Sequence, residues 1–149
     1  MPILIAHRGN TNGPKKEFEN TPTYIQEALD KGYNVEIDVW VINDEVYLGH
    51  DSPDYKISLL FLMNDKLWCH AKNFEALLLM TKNKNTIHYF SHDSDPYVVT
   101  SKGIIWGFPN GKLSEESVCV MPEMYERLID IELKNVLGLC SDYVDEYVK

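Results

Sequence analysis

Seven short apolar runs, spaced along the whole chain, constrain its fold more than any other feature. They are ILIA (3–6), YNVEIDVWV (33–41), KLWCHA (66–71), TIHYFS (86–91), GIIWGF (103–108), SVCVM (117–121) and VLGLCS (136–141). Runs of this length read as buried strands. Between them lie stretches with recognisable helix ends. Thr21-Pro22 offers an N-cap and a first-turn proline, and Lys31-Gly32 offers a stop. Asn73 can cap FEALLLMTK, Asp95-Pro96 can open YVVTSK, and Pro122 can begin a helix through EMYERLIDIELKN. Strands alternating with helices imply parallel pairing through right-handed crossovers.

The expected fold is therefore α/β: a compact, trimmed TIM-type β/α barrel of about seven parallel strands with reduced helices and a hairpin after strand two. A full barrel of this type uses about 250 residues, and this chain has 149. A doubly wound open sheet is the alternative. With 44% hydrophobic residues the chain is expected to form one domain over 1–149.

Charge and cysteine usage narrow the function classes. A formal net charge of -9 with no basic stripe argues against nucleic acid. Cys69, Cys119 and Cys140 each sit in an apolar run without CxxC spacing, which reads as buried free thiols in a reducing compartment. No run approaches the roughly 20 apolar residues of a membrane helix, and the first five residues are too short for a signal peptide. A cytoplasmic protein without an integral membrane segment is expected.

The chemistry-bearing residues gather at strand ends. Glu36 and Asp38 are two apart in strand two, so both project from one face while Val35, Ile37 and Val39 project from the other. Two buried like charges side by side call for a compensating cation. By the same parity Trp68, His70 and Lys72 share one side of strand three. The stretch VWVINDEVYLGHD reads as a hairpin turning at Asn43-Asp44-Glu45. A three-residue loop there pairs Ile42 with Val46 and sets His50 opposite Asp38, whereas a two-residue loop sets it opposite Ile37. His92, Asp93 and Trp106 are further strand-end candidates, with Trp106 read as filling. Glu123 is read as belonging to the first turn of its helix, where a carboxylate suits the dipole.

Four motifs in order carry a resemblance: HRG at 7–9, ENT at 19–21, EID at 36–38 and GHD at 49–51, followed by AK at 71–72, FSHD at 90–93 and CSDY at 140–143. Together they resemble the glycerophosphodiester phosphodiesterase family, of the phospholipase-C-like phosphodiesterase barrels. The resemblance implies a metal-dependent phosphodiester hydrolase acting on a small phosphodiester. His7 and His50 would be the acid/base pair, and Arg8 and Lys72 would contact the phosphate. Glu19 would orient Arg8, and Glu36 and Asp38 would bind Mg²⁺ or Ca²⁺.

One position departs from the family pattern. Where the family carries a metal-binding glutamate two residues before its lysine, this chain has His70, an imidazole that keeps coordination and tilts the site toward Mn²⁺ or Zn²⁺. Two rivals stand beside the hydrolase: a catalytically silent barrel binding a phosphorylated ligand or partner, and a metal-independent lyase forming a cyclic phosphate.

Overall fold

The computed structural model describes residues 2–125 and 135–148. It overturns the TIM-type barrel. Among the described residues the chain forms ten strands and only two α-helices, and the strands make one curled sheet that mixes parallel and antiparallel pairs. The result is a half-barrel.

Its parallel part starts from β1 (Ile3–His7) and β2 (Asn34–Ile42), linked by α1 (Pro22–Asp30). Thr21 caps α1 as the sequence predicts, accepting a hydrogen bond from Tyr24 N. β3 (Glu45–Leu48) and β4 (Tyr55–Ile57) then run antiparallel. A 3₁₀ turn over Leu59–Met63 leads into β5 (Leu67–Ala71), parallel to β2. The helix α2 (Phe74–Lys82), capped by Asn73, connects β5 to β6 (Tyr89–Phe90). β7 (Tyr97–Val99) and β8 (Ile105–Gly107) form an antiparallel hairpin, and β9 (Ser117–Val120) and β10 (Gly138–Ser141) complete the parallel run back to β1.

β7 explains why the sheet stays open. The Asp95-Pro96 signal points to a helix, but Val98, Val99 and Thr100 are β-branched and favour a strand. As a strand, β7 occupies the edge of β8 that a closed parallel barrel would give to β6. The gap is spanned by side contacts instead: Ser101 N donates to Tyr89 O at 2.8 Å, and the His88 ring lies 2.7 Å from Thr100 Oγ1. The helix expected after Pro122 is a 3₁₀ turn over Pro122–Met124, and residues 126–134 of that stretch lie outside the described residues.

Two apolar layers follow from the two faces of the sheet. On the convex face Val35, Ile37 and Val39 pack with Ile25 and Ala28 of α1 and Ala76 and Met80 of α2. Inside the curl Ile5, Trp68, Phe90, Trp106, Val118, Val120 and Cys140 form a second cluster. Trp106 is buried there as a filling residue, as expected. All three cysteines are buried, and Cys69 and Cys140 are free thiols. Among the described residues no helix is long and apolar enough to cross a membrane.

One feature of β2 positions the site. It pairs with β5 along one edge from Val35 to Val39. On its other edge β1 pairs only up to Glu36, and β3 starts at Val39. Asp38 therefore sits where β1 stops and the hairpin begins.

Candidate active site

A cavity of about 530 Å³ opens at the C-terminal ends of β1, β2, β5 and β9. It brings together His7, Arg8, Glu19, Glu36, Asp38, His50, His70 and Lys72, every residue singled out in the sequence for catalysis, phosphate or metal.

His7 closes β1. Its Nδ1–H donates to Asp142 Oδ1 at 2.8 Å, which leaves Nε2 as the free nitrogen, 3.9 Å from Glu36 Oε2. Burial by itself would lower the His7 pKa. The Asp142 hydrogen bond and the Glu36 charge outweigh it and hold the pKa above its ordinary value.

Arg8 follows in the left-handed region, at φ 56, and Gly9 at φ 90 completes the turn. The turn sends the Arg8 side chain back across the strand ends. Its Nη1 donates to Glu19 Oε1 at 3.0 Å and its Nε lies 3.4 Å from Asp38 Oδ2. Glu19 thus holds Arg8 at the strand ends.

Glu36 and Asp38 are both buried and share the concave face. Burial raises the Glu36 pKa and the neighbouring Asp38 charge raises it further. Asp38 goes the other way. Burial opposes its ionised form, but hydrogen bonds and charge from His70, Asn20 and Arg8 lower its pKa. Asn20, itself at φ 64, clamps Asp38 twice: Nδ2 donates to Oδ2 at 2.9 Å and Oδ1 accepts from Asp38 N at 2.9 Å.

His70 pairs in register with Asp38, with Nδ1 3.2 Å from Oδ1. Its Nε2 lies 3.1 Å from the His92 carbonyl oxygen. Both ring nitrogens face oxygen acceptors, so both contacts are hydrogen bonds only when the ring is the doubly protonated cation.

His50 reaches the cavity by a different route from the one expected. The hairpin has a two-residue loop, Asn43-Asp44 at φ 50 and 64, with Ile42 opposite Glu45 and Val39 opposite Leu48. Of the two registers open in the sequence, the chain takes the two-residue one. Mirror-image turns match the twist of paired strands, and two residues at positive φ make one. His50 lies beyond the strand, where Gly49 at φ 154 turns the chain back. Gly49 N donates to Asp38 O, and Trp40 Nε1 donates to Gly49 O at 2.7 Å. His50 stands at the rim, partly exposed, with Nδ1 2.7 Å from Asp51 Oδ1.

Asp142, Asn10 and Asn20 were not assigned roles from the sequence, although Asp142 and Asn20 lie inside the quoted CSDY and ENT motifs. Buried polar side chains are their shared signature. Asn10 Nδ2 donates to Asp142 Oδ1 at 2.9 Å and to Glu19 Oε2 at 3.0 Å. Glu123 lies in the first turn of its helix, as expected, here a 3₁₀ turn. It accepts from Ser141 Oγ at 2.9 Å and from Asp142 N at 3.0 Å, and so fixes the end of β10.

The donor set matches a divalent cation in chemistry. Glu36 Oε1 is buried with no hydrogen-bond partner among the described residues, and Asp38 Oδ1 and His70 Nδ1 stand near the roughly 3 Å that separates neighbouring ligands on one ion. As the side chains stand, no three His, Cys, Asp or Glu among the described residues converge tightly enough to hold a metal ion. His70 and Arg8 answer Asp38 in its place. No protein-family model matches the chain, and no curated protein matches it.

Proposed function

We propose that this chain is a phosphodiester hydrolase of the glycerophosphodiester phosphodiesterase type. The observation that carries the reading is the His7 ring: a carboxylate fixes its tautomer, and its free nitrogen stands in a cavity that Arg8 and Lys72 also line. A carboxylate-backed imidazole is a stronger base than an isolated one. In the proposed reaction His7 Nε2 takes a proton from water, whose oxygen bonds to phosphorus. The bond from phosphorus to one alcohol oxygen breaks, and His50 returns a proton to that oxygen. The products are a phosphomonoester and an alcohol. Arg8, oriented by Glu19, and Lys72 hold the phosphate oxygens.

Glu36, Asp38 and His70 would hold one divalent cation, Mg²⁺ or Ca²⁺, with Mn²⁺ or Zn²⁺ accommodated by the imidazole, and bound there it would polarise the phosphoryl oxygen. A second reading, a silent module that binds a phosphorylated ligand, draws on one observation: His50 stands partly exposed at the rim, paired with Asp51. Turnover of a panel of phosphodiesters, with and without a chelator, separates the two. Hydrolysis abolished by EDTA and restored by Mg²⁺ supports the hydrolase; no turnover at any metal concentration leaves the binding module.

A further inference from the structure

The cavity has two chemically different flanks. The polar one carries the charged groups described above. The other is hydrocarbon, formed by Phe90, Trp106, Phe108, Val120 and Met121. The two are joined edge to edge, because Phe90 stacks on His70 with centroids 5.0 Å apart and planes at 10°. From there the wall continues through Trp106, 4.7 Å from Phe90. Phe108 extends it beside His92 at 4.9 Å. Phe108 and Met121 follow β8 and β9 directly and are the more accessible of these residues. Met121 holds the left-handed φ of 54, with its N–H donated to Cys140 O.

On the other side of Arg8 lies a second hollow, of about 390 Å³, that shares Arg8, Lys16, Glu19 and His50 with the first. It is otherwise lined mainly by polar groups, among them Asp51, Ser52 and Asp54. A phosphate held at Arg8 would thus have a hydrocarbon wall on one side and hydroxyl-binding groups on the other.

Building on the phosphodiesterase reading, we propose that the substrate is an amphipathic phosphodiester. Its apolar alcohol lies along Phe108, Met121 and the rings behind them, and its hydroxylated alcohol faces Lys16, His50 and Asp54. Contact with this wall removes hydrocarbon from water, which a small, fully polar diester cannot do.

The test is a chain-length series. Alkyl esters of methylphosphonate, from methyl to hexyl, are measured for binding by calorimetry, and the matching alkyl glycerol phosphodiesters for kcat/KM. Affinity and kcat/KM are expected to rise about two- to fourfold per methylene until the wall is covered. Phe108→Ser or, independently, Met121→Ser should flatten both series. Affinity that does not change with chain length in the wild type overturns the inference; if the diesters still turn over, the phosphodiesterase reading survives it. A rising binding series with no turnover of any diester overturns the reaction and keeps the apolar, anionic ligand class.

Discussion

The Nδ1 of His7, at the end of β1, is hydrogen-bonded to Oδ1 of Asp142 at 2.8 Å, joining two residues 135 positions apart in the chain. The parallel pairing of β1 with β10 brings them together, and Glu123 and Asn10 hold Asp142 in place. Asp142→Asn is therefore expected to lower kcat by about 10²–10⁴-fold, since the neutral amide no longer fixes the productive tautomer. The pH profile gives the sign. Asp142 helps raise the His7 pKa against burial, so its removal should move the acidic limb of kcat/KM to lower pH. An unmoved limb would show that His7 is not the base.

Glu36 links function to stability. Its pKa is raised in the folded state, so the stability it contributes is full at low pH and is lost as pH rises from the ordinary 4.5 through the raised value. Thermal melts of the wild type should fall over that window. Glu36→Gln should flatten them, with Tm at pH 8 higher by roughly 2–4 °C for each kcal/mol regained, while abolishing turnover. Saturating Mg²⁺ should raise the wild-type Tm at pH 8 and leave Glu36→Gln unmoved, because only the ionised carboxylate binds the ion. A wild-type melting curve flat across this range contradicts the assignment.

Asp38 and Asp142 have the opposite sign. Both pKa values are lowered in the folded state, so their stabilisation is present above the ordinary carboxylate value of 3.8 and is lost as pH falls below it. Acid titration of Asp38→Asn should show a shallower loss of Tm below pH 4 than the wild type. Equal slopes would mean that His70 and Asn20 do not stabilise the ionised form.

Gly49 tests the route by which His50 reaches the cavity. A Cβ at this position would collide with the Ser52 carbonyl oxygen, at a φ that L-residues rarely adopt. Gly49→Ala should displace the turn that carries His50 and lower kcat/KM by at least 10-fold, with Tm down by a few degrees, in the range of about 1–3 kcal/mol for a strained backbone position. Unchanged kinetics would show that the 49–54 turn does not place a catalytic group.

Much of the site was legible because strands have period two. That periodicity put Glu36 and Asp38 on one face, Val35, Ile37 and Val39 on the other, and His70 on one side of its own strand with Lys72, while the β2–β5 register set His70 against Asp38. What spacing could not show were contacts that depend on closing a sheet through distant strands, of which His7 with Asp142 is the main case. Spacing left the hairpin register open between a two- and a three-residue loop, because the Asn43-Asp44 turn needs two positive φ values, which its residues tolerate but do not announce. The barrel was misjudged at β7, where the helix-start signal of Asp95-Pro96 lost to the strand preference of Val98 and Val99. One hairpin in place of one helix left the sheet open.

The central claim is tested most directly by ³¹P NMR of an alkyl glycerol phosphodiester incubated with Mg²⁺ and either wild type or His7→Ala. The wild type should convert the diester resonance into that of a phosphomonoester, and His7→Ala, folded and with a similar Tm, should do so about 10²–10⁴-fold more slowly. Equal rates for the two proteins, or no phosphomonoester from the wild type with any diester and any of the four metals, would contradict it.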